Sequence, residues 1–167
     1  MELEKLKKAL ADEAEAAGIC AEWHEKILQA STKERLIALY FAGYDFVEEN
    51  DYPTEQLLRA FGETLRENNI YDGDEFDVKN PRRLVAYKGA QGVAKYDCFA
   101  VGQLWVKKGA RTKIIVSDSA FVTVDVGSGA DVEIKATGQA RVIVYIHANG
   151  KLNHESKDNA VIKIKNR

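Results

Sequence analysis

The stretch Ala120-Phe121-Val122-Thr123-Val124-Asp125-Val126-Gly127-Ser128-Gly129-Ala130 shows the pattern that decides the fold of this chain. Val122, Val124 and Val126 alternate with other residues, and alternation with a period of two is typical of a strand with one buried face. The pattern recurs every ten residues, because alanine stands at positions 90, 100, 110, 120, 130, 140 and 160. A fixed period indicates serial copies of one structural unit. The last digit of a residue number therefore gives its position in the repeat.

Two architectures fit this repeat. One is a β-solenoid with two repeats per turn, and the other is an antiparallel meander, because Asn-Gly is also a hairpin signal. With 20 residues per turn, residues 20 apart stack about 4.8 Å from each other. Opposite charges then stack in four pairs: Arg111 with Asp131, Asp131 with Lys151, Lys113 with Glu133, and Lys135 with Glu155. A turn of 30 residues would instead stack Arg111 on Arg141 and Lys135 on Lys165. The sequence therefore favours an α+β protein with a β-solenoid of about four turns, in which positions 2, 4, 6 and 10 of each repeat point inward.

Charge and hydrophobic period both change near residue 80. Residues 1–80 hold 9 Lys/Arg and 19 Asp/Glu, whereas residues 81–167 hold 15 and 7. Such an asymmetry between halves is typical of a domain boundary. We predict an acidic helical domain over residues 1–70, an acidic-to-basic linker over residues 71–83 and a basic solenoid over residues 84–167.

The acidic half shows the period of amphipathic helices. Apolar residues recur every three or four positions and predict four short helices that form a bundle. The first helix covers residues 2–17. Ser31 and Glu34 have the spacing of a capping box, and the helix that they open carries a wide apolar arc as far as Val47. We expect this helix to be the central one of the half.

Stacking by 20 also sorts the outward side chains of the solenoid onto two faces. One face is apolar and aromatic, and large apolar surfaces are rarely left bare on soluble proteins. Either the helical domain covers this face, or the face is the interface of a homo-oligomer or of a protein partner. The interface candidates are Val85, Trp105, Phe121, Ile143 and Tyr145.

The densest basic run consists of Lys107, Lys108, Arg111 and Lys113, close to Trp105. Basic residues beside an aromatic ring are the combination that binds single-stranded nucleic acid. No Gly-rich phosphate loop or helix-turn-helix accompanies this run. We therefore favour a solvated solenoid face and do not expect a nucleic-acid partner.

The repeat breaks at one place, where the inward positions of residues 151–156 hold His154 and Ser156 instead of Val or Ile. Local failures of a pattern are typical of functional sites and of chain ends. Asp158 completes the residue types of a Ser-His-Asp hydrolase, but residues on one strand alternate faces. We favour a frayed outer turn near the exposed end over a polar binding site.

The remaining composition argues against several classes of protein. Cys20 and Cys98 are the only cysteines and are far apart, which favours a reduced, cytoplasmic setting without disulfides. No apolar run reaches about 18 residues, so we expect no membrane span. The N-terminal residues lack the basic and apolar regions of a signal peptide. The acidic cluster over residues 72–77 lacks the ligand spacing of a calcium loop, and we expect neither a metal nor a cofactor.

Repeats such as Ser128-Gly129-Ala130-Asp131-Val132-Glu133-Ile134 resemble those of the bactofilins, which are bacterial cytoskeletal proteins built as β-solenoids. That resemblance implies polymerisation from end to end. The whole chain, with Tyr44-Asp45-Phe46 and Asp51-Tyr52-Pro53 in its helical half, resembles small proteins of bacteria, their phages and mobile elements. The second resemblance implies no activity.

Three functional hypotheses follow. The first is a non-enzymatic interaction or scaffolding protein that self-associates through its solenoid, because a solenoid exposes strand edges at its ends. The second is an inhibitor encoded by a phage or mobile element, which binds a nucleic-acid-handling host enzyme through the acidic helical face. The third is a small hydrolase with its site at His154.

Overall fold

The structure of the protein, a computed structural model, describes residues 1–167. The chain divides into two compact units, which are Met1–Asn68 and Asn69–Arg167. The first unit is helical, as predicted, and the second contains all the strands.

The helical unit has six helices instead of the predicted four. The long central helix is broken at Gly43 and the last helix is broken at Gly62, so that each becomes two. Glycine is the weakest helix former after proline, and the wide apolar arc concealed these two interruptions. The helices are α1 (Leu3–Ala16), α2 (Ala21–Leu28), α3 (Lys33–Ala42), α4 (Tyr44–Asn50), α5 (Glu55–Arg59) and α6 (Glu63–Glu67).

Packing inside this unit is organised around α1 and α3. Helix α1 contacts α2 and α5, and α3 contacts α2, α4 and α6. The N-terminal cap of α3 is Thr32, whose hydroxyl accepts a hydrogen bond from the Arg35 N–H at 3.1 Å. The predicted cap at Ser31 was therefore wrong by one residue. The buried Tyr52 hydroxyl donates to the Leu10 carbonyl at 3.1 Å and ties the loop after α4 to α1.

The second unit is a parallel β-solenoid. All its strand pairs are parallel, which excludes the antiparallel meander. Its strands are β1 (Ile70–Asp72), β2 (Glu75–Lys79), β3 (Arg83–Tyr87), β4 (Gln91–Tyr96), β5 (Val101–Val106), β6 (Arg111–Val116), β7 (Phe121–Val126), β8 (Asp131–Ala136), β9 (Arg141–Ile146), β10 (Lys151–Ser156) and β11 (Val161–Asn166). Sheet A has the order β1-β3-β5-β7-β9-β11, and sheet B has the order β2-β4-β6-β8-β10.

The register confirms two repeats per turn. From β3 onward, paired residues lie 20 apart, as in Arg111 with Asp131. The first turn is shorter, because Ile70 pairs with Val85 and Glu75 pairs with Gln91. The segment 71–83 that we expected to be a linker thus contains most of β1 and all of β2, and the solenoid has about five turns instead of four.

The core of the solenoid is formed by inward side chains at positions 2, 4 and 6 of the repeat. Residues such as Val122, Val124, Ile134 and Val144 have no exposed surface. The repeated alanines lie at the corners, and those at positions 90, 110, 120, 130 and 140 are at most 2% exposed. A larger side chain would have to displace packed neighbours at these buried corners, which is the physical reason for the alanine column.

The corners are of two kinds. From β3 onward, the corners that follow strands of sheet A have a left-handed residue at the ninth position, and those that follow strands of sheet B have it at the eighth. The sheet B corners are held by side chains, because Asp118 Oδ2 accepts from the Cys98 N–H at 2.8 Å and Asp158 Oδ2 accepts from the Gly138 N–H at 3.1 Å. Each carboxylate thereby links its own turn to the preceding one.

Candidate interaction surfaces

The outer face of sheet A carries a central column of fifth-position residues. Val85, Trp105, Asp125, Tyr145 and Lys165 follow one another in register. Val85 and Trp105 are 0% and 7% exposed, and Tyr145 is half-buried. Two of the five interface candidates are therefore buried in this structure.

An ion cluster that the sequence analysis missed lies in this column. Asp125 is 6% exposed, and its carboxylate lies 3.1 Å from His147 Nε2 and 3.2 Å from Arg167 Nη1. The Arg167 guanidinium also lies over the Tyr145 ring, 4.5 Å from its centre. A buried carboxylate requires such partners, because desolvation without them is costly. The available signal was a single acidic residue between the aromatic residues Trp105 and Tyr145 of this column.

Phe121 is the most accessible of the interface candidates, with 37% of its surface exposed, whereas Ile143 is half-buried. Val101, which is in register with Phe121, is 63% exposed. Phe99, two residues before Val101, is 83% exposed. We call Phe99, Val101 and Phe121 the apolar strip. The sequence analysis missed Phe99, although the equivalent corner positions in later turns hold Ser, Gln and Asn.

The structure separates the four basic residues proposed as a polyanion patch. Lys107 and Lys108 lie in a corner, whereas Arg111 and Lys113 lie on the outer face of sheet B. Arg111 Nε is 3.5 Å from an oxygen of Asp131, and Lys113 is in register with Glu133. This face forms a shallow, open groove with both signs of charge along it. The four side chains do not form one basic surface.

Three side chains of metal-ligating type meet at a sheet B corner. Ligand atoms of Asp97, Cys98 and Asp118 lie within 4.8 Å of one another. The carboxylates are already engaged, because Asp97 accepts a hydrogen bond from Asn80 at 2.9 Å and pairs with Lys79 at 2.9 Å. The hydrogen bonds from Asn80 and Lys79 lower the pKa of Asp97. We therefore assign the cluster to the structure of the corner.

The end of the solenoid formed by β10 and β11, here called the tail, is open. These strands are the last of sheets B and A, and each is paired on one side only. Val161 and Ile164 are 45% and 42% exposed. His154 and Ser156 point to the interior side of this last turn, in register with Ile134 and Ala136, and both are exposed. The break in the repeat thus lies in the outer turn, where β10 keeps its full register with β8.

The geometry at the tail is not that of a catalytic triad. No hydrogen bond joins His154 to Ser156, and the Asp158 carboxylate accepts from the Gly138 N–H instead. Nucleophilic catalysis requires the base within hydrogen-bond reach of the hydroxyl and a third group that orients the base. The hydrolase hypothesis has no geometric support.

The opposite end, formed by β1 and β2 and here called the head, is filled by aromatic side chains. The Tyr71 and Phe76 rings stack at 4.5 Å with 17° between their planes, and both are buried. Gly92 leaves room for the Phe76 ring, because a Cβ at this position would overlap it. The head interior is thus closed by side chains, whereas the tail interior is not.

Together these features define a class: a protein with an acidic helical unit and a short parallel β-solenoid whose two ends differ. No protein-family model matches the chain, and no curated protein and no solved structure matches it either. None of its helices combines the length and the apolar character that crossing a membrane requires.

Proposed function

We propose that this protein is a non-enzymatic interaction protein that self-associates through the tail of its solenoid. The observation that carries the proposal is the exposed edge of β10 and β11, together with the exposed apolar side chains of Val161 and Ile164. Free strand edges present unpaired N–H and C=O groups and pair readily with another chain. Stacked repeats generally need a polar cap at each end for this reason.

The alternation of backbone groups along a strand shows which N–H and C=O groups of β10 are free. The amides of Lys151 and Lys157 donate to Ala130 and Ala136 of the preceding turn. Because the direction of backbone groups alternates along a strand, the N–H and C=O groups of His154 point away from that turn, toward the free edge. His154→Pro should therefore remove an edge donor without removing a bond of the β10–β8 ladder.

The test is sedimentation velocity of the purified chain from about 1 μM to about 1 mM, a range that covers weak association. We expect the weight-average sedimentation coefficient to rise with concentration. Val161→Lys and His154→Pro should each suppress that rise. The matched control is Val101→Lys, since Val101 is also an exposed first-position valine of sheet A, but on the interior strand β5.

Two results would contradict the proposal. A chain that stays monomeric over the whole range has no self-association to explain. Suppression by Val101→Lys but not by Val161→Lys would locate the contact at the apolar strip instead of the tail. Melting curves of the three variants establish that each remains folded during the comparison.

The charge of the helical unit supports a second candidate, the inhibitor of a nucleic-acid-handling enzyme. Residues 1–68 hold 15 Asp/Glu and 8 Lys/Arg, and Glu49 and Asp51 near the end of α4 are exposed. An acidic surface can compete with nucleic acid for a basic site, and such binding weakens with salt. Neutralising Glu48, Glu49 and Asp51 together should abolish salt-sensitive binding to a basic nuclease or polymerase, whereas His154→Pro should not.

A further inference from the structure

We infer that the partner of the tail is the head of a second copy, with β10 of one copy pairing in parallel with β2 of the next. This inference rests on the proposed self-association and identifies its occupant. It comes from two columns of charged side chains on sheet B, from the direction of the backbone groups at each end, and from the like charges that the alternative arrangements would stack.

The first-position column of sheet B ends in unpaired opposite charges. In register it runs Glu75, Gln91, Arg111, Asp131 and Lys151. Its interior charges satisfy each other, since Arg111 pairs with Asp131 at 3.5 Å. Glu75 at the head and Lys151 at the tail are exposed and form no ion pair within the chain. A second copy stacked on the tail in the same register brings its Glu75 beside Lys151.

The fifth-position column also ends in opposite charges, with the signs reversed, but here the lysine already has a partner within the chain. It begins with Lys79 at the head and ends with Glu155 at the tail. Glu155 is exposed and forms no ion pair, and Lys79 keeps 67% of its side chain exposed while it contacts Asp97. Continuation of the register places Glu155 beside Lys79 of the second copy. Both columns therefore gain an opposite-charge pair in one arrangement, and such cross-strand pairs are stabilising.

The backbone at the two ends is complementary as well. At the tail, the even positions of β10 direct their N–H and C=O groups to the free edge, as shown for His154. At the head, the Asp74 carbonyl accepts from the Gln91 N–H, so the even positions of β2 face the next turn. The odd positions Glu75 and Asp77 consequently face the free edge of β2. This is the alternation that parallel pairing of β10 with β2 requires.

Two-fold arrangements of tail on tail are less favourable. Pairing β10 with its own copy would align Lys151 with Glu155, but the same symmetry aligns β11 with its own copy and stacks Lys163 on Lys163. Pairing β11 with β10 instead aligns Lys165 with Lys151. Like charges directly opposite each other destabilise a strand pair. Head-to-tail stacking on sheet B produces no such contact.

Charge reversal separates these arrangements. Glu75→Lys places two lysines together only in the head-to-tail arrangement, and we expect it to raise the dissociation constant for self-association roughly three- to tenfold. Lys151→Glu should do the same. The double variant, with Glu75→Lys and Lys151→Glu together, restores an opposite pair and should return the dissociation constant to the wild-type value. Glu67→Lys on α6 is the control for net charge, because Glu67 is exposed and lies outside both columns.

Each outcome of the sedimentation experiment decides a different point. A monomeric wild type removes the proposed function and this inference together. A wild type that associates while Glu75→Lys has no effect and Lys151→Glu weakens association would establish tail-on-tail pairing, so that only the inference fails. Weakening by both single variants without recovery in the double variant would also overturn the charge register.

Discussion

Gly102 and Tyr96 provide a test of the interior of the solenoid. Tyr96 at the end of β4 is 1% exposed, and a Cβ built on Gly102 of β5 would overlap its ring and hydroxyl. Gly102 does not have a left-handed φ, so alanine is compatible with its backbone. The substitution Gly102→Ala therefore perturbs packing alone.

The size of the effect follows from two opposing contributions. Alanine is more favourable than glycine in a strand interior by about 0.5–1 kcal/mol. Overpacking of a filled core costs about 1–3 kcal/mol, and the buried Tyr96 ring has no solvent to move into. Since two ring carbons and the hydroxyl oxygen of Tyr96 lie within 3 Å of the added carbon, the upper part of this range applies, and we expect a net loss of about 1–2 kcal/mol.

The assay is urea unfolding followed by circular dichroism of the strands, which reports the free energy of unfolding by linear extrapolation. Adding Tyr96→Leu to Gly102→Ala removes most of the ring, so the double variant should be more stable than the sum of the two single changes by about 1–2 kcal/mol. Tyr96→Phe alone should be neutral or stabilising by up to about 1 kcal/mol, because the buried hydroxyl has no hydrogen-bond partner. Strict additivity of the double variant would refute the placement of the Tyr96 ring against Gly102.

Three further predictions concern the corners. Asp118→Gly should be less destabilising than Asp118→Ala in thermal melts, because both lose the bond from the Cys98 N–H but only alanine is strained at a φ of 55°; equal losses would mean that φ is not left-handed there. The hydrogen bond from Asn80 is the largest cause that lowers the pKa of Asp97, so this carboxylate stabilises the fold above its ordinary pKa and loses the effect as the pH falls. The stability deficit of Asp97→Asn at pH 7 should accordingly shrink below about pH 4, and a constant deficit would contradict the ionic contribution. Phe99→Ser should leave the free energy of unfolding within about 0.5 kcal/mol of wild type, since Phe99 is 83% exposed, and a larger loss would show that Phe99 packs in solution.

The solenoid was predictable because its rules are local. Side-chain direction in a strand has a period of two, so the inward set could be assigned from Val122 to Val126 without knowledge of the neighbouring strands. Residues that stack on each other are separated in sequence by the repeat length multiplied by the number of repeats per turn. Opposite charges at Arg111 and Asp131 then distinguished two repeats per turn from three, and the register confirms that choice.

The first turn escaped prediction because it does not follow the repeat. Ile70 pairs with Val85 and Glu75 with Gln91, so neither lies 20 residues from its partner, and the surrounding acidic residues are typical of a linker. The ion cluster of Asp125 was missed for another reason. Its partners His147 and Arg167 are 22 and 42 residues away in sequence, and only the folded turns bring them together.

The strength of the proposed head-to-tail contact can be bounded from its size. A β10–β2 pair supplies roughly five backbone hydrogen bonds, each with a net contribution of about 0.5–1.5 kcal/mol. The two charge pairs add about 0.2–1 kcal/mol each. Association costs about 4–15 kcal/mol of translational and rotational freedom, so pairing on sheet B alone gives weak binding at best. Burial of Val161 and Ile164 must contribute if the dissociation constant is to fall well below the millimolar range, which is why Val161→Lys should affect association although it changes no edge hydrogen bond. Because the contact joins two different surfaces, it leaves a free tail and a free head after each addition, and the assembly should grow with concentration instead of stopping at a dimer.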